Sequence, residues 1–296
     1  MDNGGNSGLD DVHLWPMRYD LHSHSKASDG HYTPGELVAL ARKKGVEVLA
    51  LTDHDTSAGV PEAVAAGREI RMHVVSGIEL SCLWHGNQIH IVGLCIDCNS
   101  PELKALEGSQ AEKRDARARE IGMRLEKHGF KNAYENTKAL AAPGASITRG
   151  NYSSYLFRVG AGPTEEYCFS HYLDKGKPAY VAPVWPDMET IVKTILAAGG
   201  IPVLAHPSRY QLNNNWVLRL VRDFKNCGGE GMEVSSAMQA FSERELLTKI
   251  ANKHELLCSC GSDFHHEKTN LDLGIDLSIP EGGTPVWKSP KFKLEC

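Results

Sequence analysis

The chain contains 296 residues, enough for one large α/β domain or two smaller ones, and it can bury a substantial core without disulfide bonds. Hydrophobic residues make up 41% and charged residues 23%, which excludes a disordered or a fibrous protein. The formal net charge of −5 argues against a protein held on nucleic acid by bulk positive charge, although it leaves room for a local basic cleft.

The sequence predicts neither a membrane-spanning segment nor a signal peptide. No apolar run approaches the roughly 20 residues of a membrane span, and residues 1–16 lack a basic and then apolar signal-peptide pattern. We therefore expect a cytoplasmic protein without membrane association. Residues 1–16 carry Asn, Gly and Asp without a period and are expected to form a flexible leader.

Seven short segments that are apolar or rich in β-branched residues predict strands. They are residues 17–21, 47–51, 74–80, 89–94, 201–205, 231–235 and 257–261. Helical patterns fall between most of them, at residues 62–70, 188–198, 215–226 and 243–254. The clearest helix begins at the capping box Thr33-Pro34-Gly35-Glu36 and ends at Gly45. Strands that alternate with helices predict an α/β fold with a mainly parallel sheet, and seven strands suggest a barrel.

Residues 101–183 interrupt this alternation. A long charged helix is predicted from Glu102 to Lys127, and shorter helical pieces follow it without a convincing strand. Because the stretch is too long for a loop, it predicts a helical subdomain. The predicted organisation is a barrel formed by residues 17–100 and 184–296, with residues 101–183 inserted into it.

Imidazole and carboxylate side chains lie on or just after each predicted strand. In chain order they are His22, His24 and Asp29, then Asp53 and His54, Glu79, His90, His206, Glu233, and finally Asp263 and His265. In parallel α/β barrels the carboxyl ends of the strands share one face, where active sites are built. We therefore expect these side chains to converge in one cleft.

Two pairs, His22-x-His24 and Asp263-x-His265, have the alternation that points both members to the same side of an extended segment. Together with the other strand-end groups they indicate a metal centre rather than unrelated core and surface histidines. Imidazole and carboxylate ligands without thiolates suit Mn, Fe or Zn. They are too many for one tetrahedral ion, so two or three ions are expected. Clustered ions favour phosphoester hydrolysis, because they clamp phosphoryl oxygens and generate hydroxide at neutral pH.

Five motifs follow one another between about residues 18 and 280. They are Asp-Leu-His-Ser-His-Ser with Ser28-Asp29-Gly30, Thr-Asp-His-Asp, Gly77-Ile78-Glu79-Leu80-Ser81, Ala205-His206-Pro207 and Gly-Ser-Asp-Phe-His. In this order they resemble the motifs of the PHP (polymerase and histidinol phosphatase) family. The resemblance implies a distorted seven-stranded (β/α)7 barrel with a trinuclear site, for which Mn²⁺ is the expected ion and Fe or Zn are alternatives.

The resemblance also implies roles for individual residues. The implied metal ligands are His22, His24, Asp29, His54, Glu79, His90, His206, Asp263 and His265. His90 has the alternative of a histidine that is merely packed on its strand. Asp53 and Glu233 are expected to orient the metal ligands without binding an ion themselves.

Further motifs include Ile147-Thr148-Arg149-Gly150 and Ala205-His206-Pro207-Ser208-Arg209-Tyr210. They resemble the bacterial group of this family that contains ribonuclease AM and the 3′,5′-nucleoside bisphosphate phosphatases. Members of that group remove the 3′-phosphate from adenosine 3′,5′-bisphosphate (pAp) and related nucleotides, or degrade short RNA from its 5′ end, and some trim ribosomal RNA precursors. In both reactions a hydroxide attacks the phosphorus on a ribose 3′-oxygen, while the 5′-phosphate holds the substrate in place.

The 5′-phosphate needs cations, and Arg binds phosphate through a bidentate fork. The candidates are Arg114 and Arg117, which are three residues apart on the predicted long helix, together with Arg149 and Arg209. The alternative for Arg114 and Arg117 is a solvated charged helix face. No stable protein partner is predicted.

One residue departs from the group, which usually has His where this chain has Asn151. A histidine there could protonate the departing 3′-oxygen or hold the phosphoryl group, so Asn151 is a candidate catalytic or supporting position. The alternative is that Asn151 caps the helix that follows it.

Two other functions fit parts of the pattern. A PHP-type histidinol phosphatase would use the same ligands on a small amino-alcohol phosphate, but the insertion and the Arg149 motif argue against it. A metal-stabilised binding module would be expected to lack ligands, and none is missing from this chain.

Overall fold

A computed structural model describes residues 17–267 and 272–294, so the predicted leader lies outside the described residues. The strands are β1 Tyr19–Asp20, β2 Val48–Leu51, β3 His73–Trp84, β4 Asn87–Leu94, β5 Ile201–Leu204, β6 Gly231–Ser236 and β7 Leu257–Gly261. The α-helices are α1 Pro34–Lys43, α2 Val60–Ile70, α3 Pro101–Lys127, α4 Ala133–Leu140, α5 Arg149–Arg158, α6 Glu165–Cys168, α7 Met188–Ala197, α8 Asn214–Asn226 and α9 Phe241–Lys253. The prediction of an α/β fold with seven strands is confirmed.

All seven strands belong to one sheet, in which the spatial order is the chain order. β1, β2 and β3 are parallel, as are β5, β6 and β7, whereas β4 is antiparallel to both of its neighbours. The sheet is therefore mainly parallel, with β4 as an exception to the prediction. The reason is that β3 runs past its predicted end to Trp84, and a tight turn at His85 and Gly86, with φ of 46° and 76°, folds the chain back.

The sheet closes on itself where β7 meets β1. The backbone N–H of Leu21 donates to the carbonyl of Cys260 over 3.0 Å, and beyond the strands Asp263 N–H donates to the carbonyl of His22 over 2.9 Å. These bonds produce the nearly closed barrel and place the segments after β1 and β7 side by side. The His-x-His and Asp-x-His pairs therefore lie on neighbouring segments.

Apolar side chains fill the barrel. Val48, Val75, Val92 and Val203 come from four adjacent strands and pack into one buried cluster. The end where β1 begins is closed by Trp287, whose ring stacks on Tyr19 with 3.9 Å between the centroids. The polar groups are left at the opposite end, where β1, β2, β5 and β7 finish.

The insertion has an apolar core of its own. Ile121 and Leu125 of α3 pack with Tyr152 and Leu156 of α5 and with the π-helical segment Phe169–Leu173. Residues 101–183 are all described and contain helices but no strand. None of the helices in the described ranges is both long enough and apolar enough to span a bilayer.

Candidate active site

The two histidines after β1 point into the barrel end because their neighbour Ser23 points the other way. Ser23 Oγ donates to the carbonyl of Ala50 over 2.7 Å, which anchors the segment to β2. On the β7 side the segment lies against Gly261, where a Cβ would come within 2.2 Å of the Cβ of His22. Any other residue at position 261 would displace His22.

Glu79 is fully buried on β3, and its carboxylate is shared by five histidines. Oε1 lies 3.3 Å from Nε2 of His22, 2.9 Å from Nδ1 of His90 and 3.1 Å from Nε2 of His206. Oε2 lies 3.4 Å from Nε2 of His24 and 2.8 Å from Nδ1 of His54. Burial by itself raises the pKa of Glu79, but the surrounding imidazoles hold it well below its usual range. The group is therefore a carboxylate anion at the centre of a ring of nitrogen donors.

Asp263 completes a first group of donors around this centre. Its Oδ1 lies 3.0 Å from Nε2 of His24, and Nε2 of His24 lies 3.1 Å from Nε2 of His22. Separations of about 3.0–3.5 Å are expected of donors that each lie about 2.1 Å from a common ion. Within the described residues, His54 Nδ1 and Glu79 Oε2 are buried without a hydrogen bond of acceptable geometry. Buried ligand atoms of this kind are suited to bind cations.

Asp29, His54 and His265 form a second group. Nε2 of His265 lies 3.3 Å from Oδ1 of Asp29, and Nε2 of His54 lies 3.9 Å from Oδ2 of Asp29. Burial lowers the pKa of His265, but the carboxylates of Asp29 and Asp263 outweigh it and raise the pKa to about 9. The ligand atoms of this group and of His24 lie within 4.8 Å of one another.

Ring orientation separates the two groups. The rings of His24 and His265 stack with 4.2 Å between their centroids and 23° between their planes. Because the lone pair of an imidazole lies in the plane of its ring, two stacked rings cannot direct their lone pairs at one ion. His24 therefore fits with His22 and Asp263, whereas His265 fits with Asp29.

His90 and His206 provide a third group with His54 and Glu79. Possible ligand atoms of His54, Glu79 and His90 lie within 4.8 Å of one another, and His206 reaches the same carboxylate. The structure thus brings together all nine predicted ligands in three neighbouring groups, of which the first and third share Glu79 and the second and third share His54. His90 lies on β4 rather than at a strand end, and it enters the cluster because β4 runs antiparallel beside β3.

Glu233 and Asp53 lie behind the ligands. The carboxylate of Glu233 lies 2.7 Å from Nδ1 of His22 and accepts from the backbone N–H of His206 over 2.6 Å. Asp53 accepts from the backbone N–H of Ser25 over 2.7 Å and from the hydroxyl of Ser28 over 2.6 Å. Asp53 therefore orders the loop that carries Asp29 and does not itself join a ligand group.

A cavity of about 980 Å³ opens over the cluster. One wall belongs to the insertion and includes Thr148 and Arg149, and the other is formed by the loops after β5 and β6, with Arg209 and Met238. Thr148 joins the first wall to the cluster, because its hydroxyl donates to Oδ2 of Asp29 over 2.6 Å.

The four predicted phosphate-binding arginines have different surroundings. Arg114 is buried and donates from Nε to Oδ2 of Asp55 over 2.6 Å and from Nη2 to Oγ of Ser81 over 2.9 Å, so its charge is already paired. In the described residues Arg117 and Arg149 donate only to backbone carbonyls, over 3.0 and 3.4 Å. These two arginines therefore keep a positive charge available at the cavity wall.

The surroundings of this wall disfavour its positive charges. Burial, with Arg149 and Arg114 alongside, lowers the pKa of Arg117 to about 9, and burial also lowers the pKa of Arg149. The ring of Trp185 lies 5.0 and 5.6 Å from the guanidinium carbons of Arg114 and Arg117. An anion placed among these groups would relieve their mutual repulsion.

Arg209 belongs to the short helical turn after β5, whereas Arg114, Arg117 and Arg149 lie together beside Trp185. Nη1 of Arg209 donates to the carboxylate of Asp263, and the side chain is 38% exposed. Burial raises the pKa of Asp263, but the charges of His22 and of Arg209 hold it well below its usual range. Arg209 is thus tied to a predicted ligand and faces the cavity.

Asn151 lies in the first turn of a helix. It is not among the described residues that line the cavity. α5 begins at Arg149 with Thr148 as its N-cap, three residues earlier than the helix predicted after Asn151. Asn151 Oδ1 accepts from the backbone N–H of Thr148 over 2.7 Å, which completes a capping box, and Nδ2 donates to the carbonyl of Ser28 over 3.3 Å. The side chain therefore supports both the helix start and the loop before Asp29.

Sequence reasoning missed several contacts around the site. Thr148 belongs to a motif noted in the sequence, but its hydrogen bond to Asp29 could not be predicted, and Trp185, which packs beside Arg114 and Arg117, carries no local signal. His31, Glu165 and His266 form a further group of possible ligands on the cavity wall. The rings of His31 and His266 stack with 4.2 Å between centroids and 11° between planes, so they cannot both address one ion in this arrangement.

A nearly closed seven-stranded barrel, with a buried imidazole and carboxylate cluster at one end and a cationic cavity above it, defines the class of metal-dependent phosphoesterases. Within that class the chain belongs to the PHP family, whose domain profile matches residues 20–155.

Similar proteins span almost the whole chain. The 5′-3′ exoribonuclease of Haemophilus influenzae is 45% identical over 271 residues, which cover 92% of this chain and 98% of the relative. The 3′,5′-nucleoside bisphosphate phosphatase of Chromobacterium violaceum is 36% identical over 276 residues, or 93% of this chain and 97% of the relative. A solved structure described as an amidohydrolase from Chromobacterium violaceum with bound sulfate and no metal has a TM-score of 0.87 at 36% identity, and the match covers 91% of this chain and 94% of that one.

Proposed function

We propose that the chain hydrolyses the bond between phosphorus and a ribose 3′-oxygen in nucleoside 3′,5′-bisphosphates such as pAp and at the 5′ end of short 5′-phosphorylated RNA. The observation that carries the proposal is the pairing of two features in one cavity. The ligand cluster around Glu79 lies on its floor. Arg117 and Arg149, which donate only to backbone carbonyls in the described part of the chain, lie on its wall. The names of both relatives described above fit this chemistry.

The cluster would hold two or three divalent ions, with Mn²⁺ as the expected ion and Fe or Zn as alternatives. When bound, such ions stabilise charge on phosphoryl oxygens and lower the pKa of water. Glu79 is the ligand that the groups share, and Glu233 turns Nε2 of His22 toward it. Neutralisation of the central carboxylate and of Asp29 and Asp263 by cations removes repulsion that would otherwise meet a phosphate.

The 5′-phosphate would bind between Arg117 and Arg149. Arg114 contributes less, because Asp55 already neutralises it, and its part is to hold α3 against the barrel. Thr148 links this wall to Asp29, so the site of the 5′-phosphate is fixed relative to the ligand cluster. Arg209, which pairs with Asp263, would contact the phosphoryl group over the cluster. Residues 101–183 would thus form the substrate-holding unit of the barrel.

The test is hydrolysis by the purified protein, with Mn²⁺ present and after exhaustive chelation. The substrates are pAp, 3′-AMP, a 5′-phosphorylated oligoribonucleotide, the same oligonucleotide with a 5′-hydroxyl, and histidinol phosphate. We expect release of phosphate from pAp and of nucleoside 5′-monophosphates from the 5′-phosphorylated RNA, with weak action on 3′-AMP and on 5′-hydroxyl RNA. Preferred hydrolysis of histidinol phosphate would replace the proposal with the small-molecule alternative, and full activity without metal would refute the role of the cluster.

A further inference from the structure

Trp185 packs against two arginines of α3 and has no role in the function proposed above. The centre of its ring lies 5.0 Å from the guanidinium carbon of Arg114 and 5.6 Å from that of Arg117. Both distances are within the roughly 6 Å over which the face of an aromatic ring attracts a cation, and Trp is the most effective ring for this contact. Trp185 is 5% exposed, and the attraction is stronger where water is excluded.

The indole N–H of Trp185 does not account for a Trp at this position. Nε1 is buried and has no hydrogen-bond acceptor among residues 17–267 and 272–294. A buried donor without a partner is unfavourable, and a Phe or a Leu would fill the same space without one. The part of the side chain that the surroundings use is therefore the face of the ring, which lies against the guanidinium groups.

Arg117 needs a contact of this kind, because nothing else around it compensates its charge. It is buried, it donates from Nε to the carbonyl of Val181 over 3.0 Å, and its Nη2 has no acceptor within the described ranges. The charges of Arg149 and Arg114 repel it, and together with burial they lower its pKa to about 9. The attraction of the Trp185 ring opposes this repulsion and keeps the guanidinium group at the cavity wall.

One short segment supplies both of these contacts to Arg117. Its carbonyl acceptor and Trp185 are four residues apart, where the chain returns from the insertion to the barrel. The backbone N–H of Leu83 donates to the carbonyl of Pro186 over 2.8 Å, which fixes this segment to the last part of β3. Because β3 also carries Glu79, the segment sets the place of Arg117 relative to the ligand cluster.

We propose that Trp185 is a positioning residue for the 5′-phosphate, and that the face of its ring holds the guanidinium group of Arg117 at the cavity wall. The proposal rests on the proposed function and deepens it, since it assigns what keeps a phosphate-binding cation in place before the substrate arrives. Trp185 is not among the described residues that line the main cavity, so it acts through Arg117 and not by contact with the substrate. A cation that is already in place binds phosphate without the loss of side-chain freedom that would otherwise oppose binding.

The experiment compares Trp185→Phe, which keeps an aromatic face, with Trp185→Leu, which keeps only apolar bulk. With Mn²⁺ present, we expect Trp185→Leu to lower kcat/KM on pAp about threefold to thirtyfold, mainly through KM, and Trp185→Phe to lower it less. On 3′-AMP, which lacks the 5′-phosphate, both variants should remain within about twofold of the wild type. Trp185→Met takes the place of Trp185→Leu if the Leu variant does not fold.

The matched control is Trp84→Leu. Trp84 is also 5% exposed, its Nε1 donates to Asp223 over 3.1 Å, and it is not among the described residues that line the cavity. Truncation of this buried ring should lower stability in the same way and change kcat/KM on pAp and on 3′-AMP by the same factor.

Two further measurements test whether Trp185 acts through Arg117. In an Arg117→Ala background, Trp185→Leu should cause almost no additional loss on pAp, because the cation that the ring holds is absent. Calorimetric titration of AMP into the chelated protein reports on the 5′-phosphate site without hydrolysis. We expect Trp185→Leu to weaken AMP binding about threefold to thirtyfold and to leave the binding of adenosine, which has no phosphate, unchanged.

Several outcomes would overturn the role of Trp185 and leave the proposed function standing. They are an equal loss on pAp and 3′-AMP in Trp185→Leu, an undiminished loss in the Arg117→Ala background, and a loss in Trp185→Phe as large as in Trp185→Leu. Wild-type hydrolysis of 3′-AMP as efficient as that of pAp would overturn the 5′-phosphate site and the role of Trp185 with it. Wild-type inactivity on both substrates would overturn the proposed function itself.

Discussion

The carboxylate of Glu233 lies 2.7 Å from Nδ1 of His22, and this contact determines which ring nitrogen of His22 faces the ligand cluster. With Nδ1 bonded to Glu233, Nε2 is turned toward Glu79 and His24. Burial lowers the pKa of His22, but the charges of Glu233, Glu79 and Asp263 raise it well above its usual value. An ion that binds to Nε2 therefore displaces a proton, and Glu233 compensates by holding the other nitrogen in place.

We predict that Glu233→Gln weakens metal binding about tenfold to a hundredfold, the usual cost of removing a carboxylate behind a ligating histidine. Calorimetric titration of Mn²⁺ into the chelated protein measures the effect. Glu230→Gln is the control, because Glu230 lies just before β6 and pairs with Lys291 away from the cluster. Equal Mn²⁺ affinity in the wild type and in Glu233→Gln would contradict the assigned role.

The arginine wall predicts a preference for 5′-phosphorylated substrates. Removal of Arg149 or Arg117 takes away a charge-assisted hydrogen bond worth about 1.5–3 kcal/mol, so each Ala variant should lose roughly tenfold to a hundredfold in kcat/KM on pAp. On 3′-AMP, which lacks the 5′-phosphate, the same variants should lose little. Arg119→Ala is the control, since Arg119 is exposed on α3 and pairs with Asp115. A uniform loss on pAp and 3′-AMP would show that these arginines act elsewhere.

Arg114 should behave differently from its neighbours on the wall. It forms a buried ion pair with Asp55, and its loss leaves that carboxylate without its cation. Breaking such a pair typically costs about 3–5 kcal/mol, so Arg114→Ala is expected to lower the free energy of unfolding by about that amount. Denaturant unfolding of the metal-loaded protein measures the loss. A variant as stable as the wild type but selectively poor on 5′-phosphorylated substrates would instead make Arg114 part of the phosphate site.

The strands and the ligand pairs could be predicted from the sequence because their signals are local. A strand such as β2, whose four residues are all buried, appears as a continuous apolar run, and the alternation in His22-x-His24 places both rings on one side. The direction of β4 was not predictable in the same way. It depends on the turn at His85 and Gly86, and the polar residues there do not mark the end of a hairpin as clearly as an Asn-Gly pair would.

The surroundings of the arginines could not be predicted from local sequence patterns either. The spacing of Arg114 and Arg117 shows that they share a helix face, but not what covers that face. The cover comes from Asp55 on a barrel loop and from Trp185 after the insertion, both distant in the chain. Only the tertiary structure therefore separates the arginine that is already paired from the one that is available to substrate.

Metal removal should have an effect on stability that depends on pH. The pKa of His265 is raised to about 9 against about 6.5 unfolded, so in the metal-free protein its contribution to stability is present below pH 6.5 and lost as pH rises toward 9. An ion must displace that proton, so binding strengthens over the same range. We predict that the rise in melting temperature caused by Mn²⁺ increases from pH 6.5 to pH 9, measured under anaerobic conditions. A rise that is the same at every pH would contradict the assignment of His265.

The position of Asn151 gives the last prediction. Its side chain completes the capping box of α5 and donates to the carbonyl of Ser28, so both ends of the amide are engaged away from the cavity. Replacing a cap partner costs roughly 0.5–2 kcal/mol, and a histidine offers only one nitrogen that can accept from Thr148. We therefore predict that Asn151→His lowers the melting temperature modestly and leaves the shape of the kcat–pH profile on pAp unchanged at saturating Mn²⁺. Asn136→His, at a position on α4 outside this cap, is the matched control for the added imidazole. If Asn151→His instead raised kcat and added a limb between about pH 6 and 8, where a free imidazole titrates, the residue at this position would be acting on the leaving group and not on the helix start.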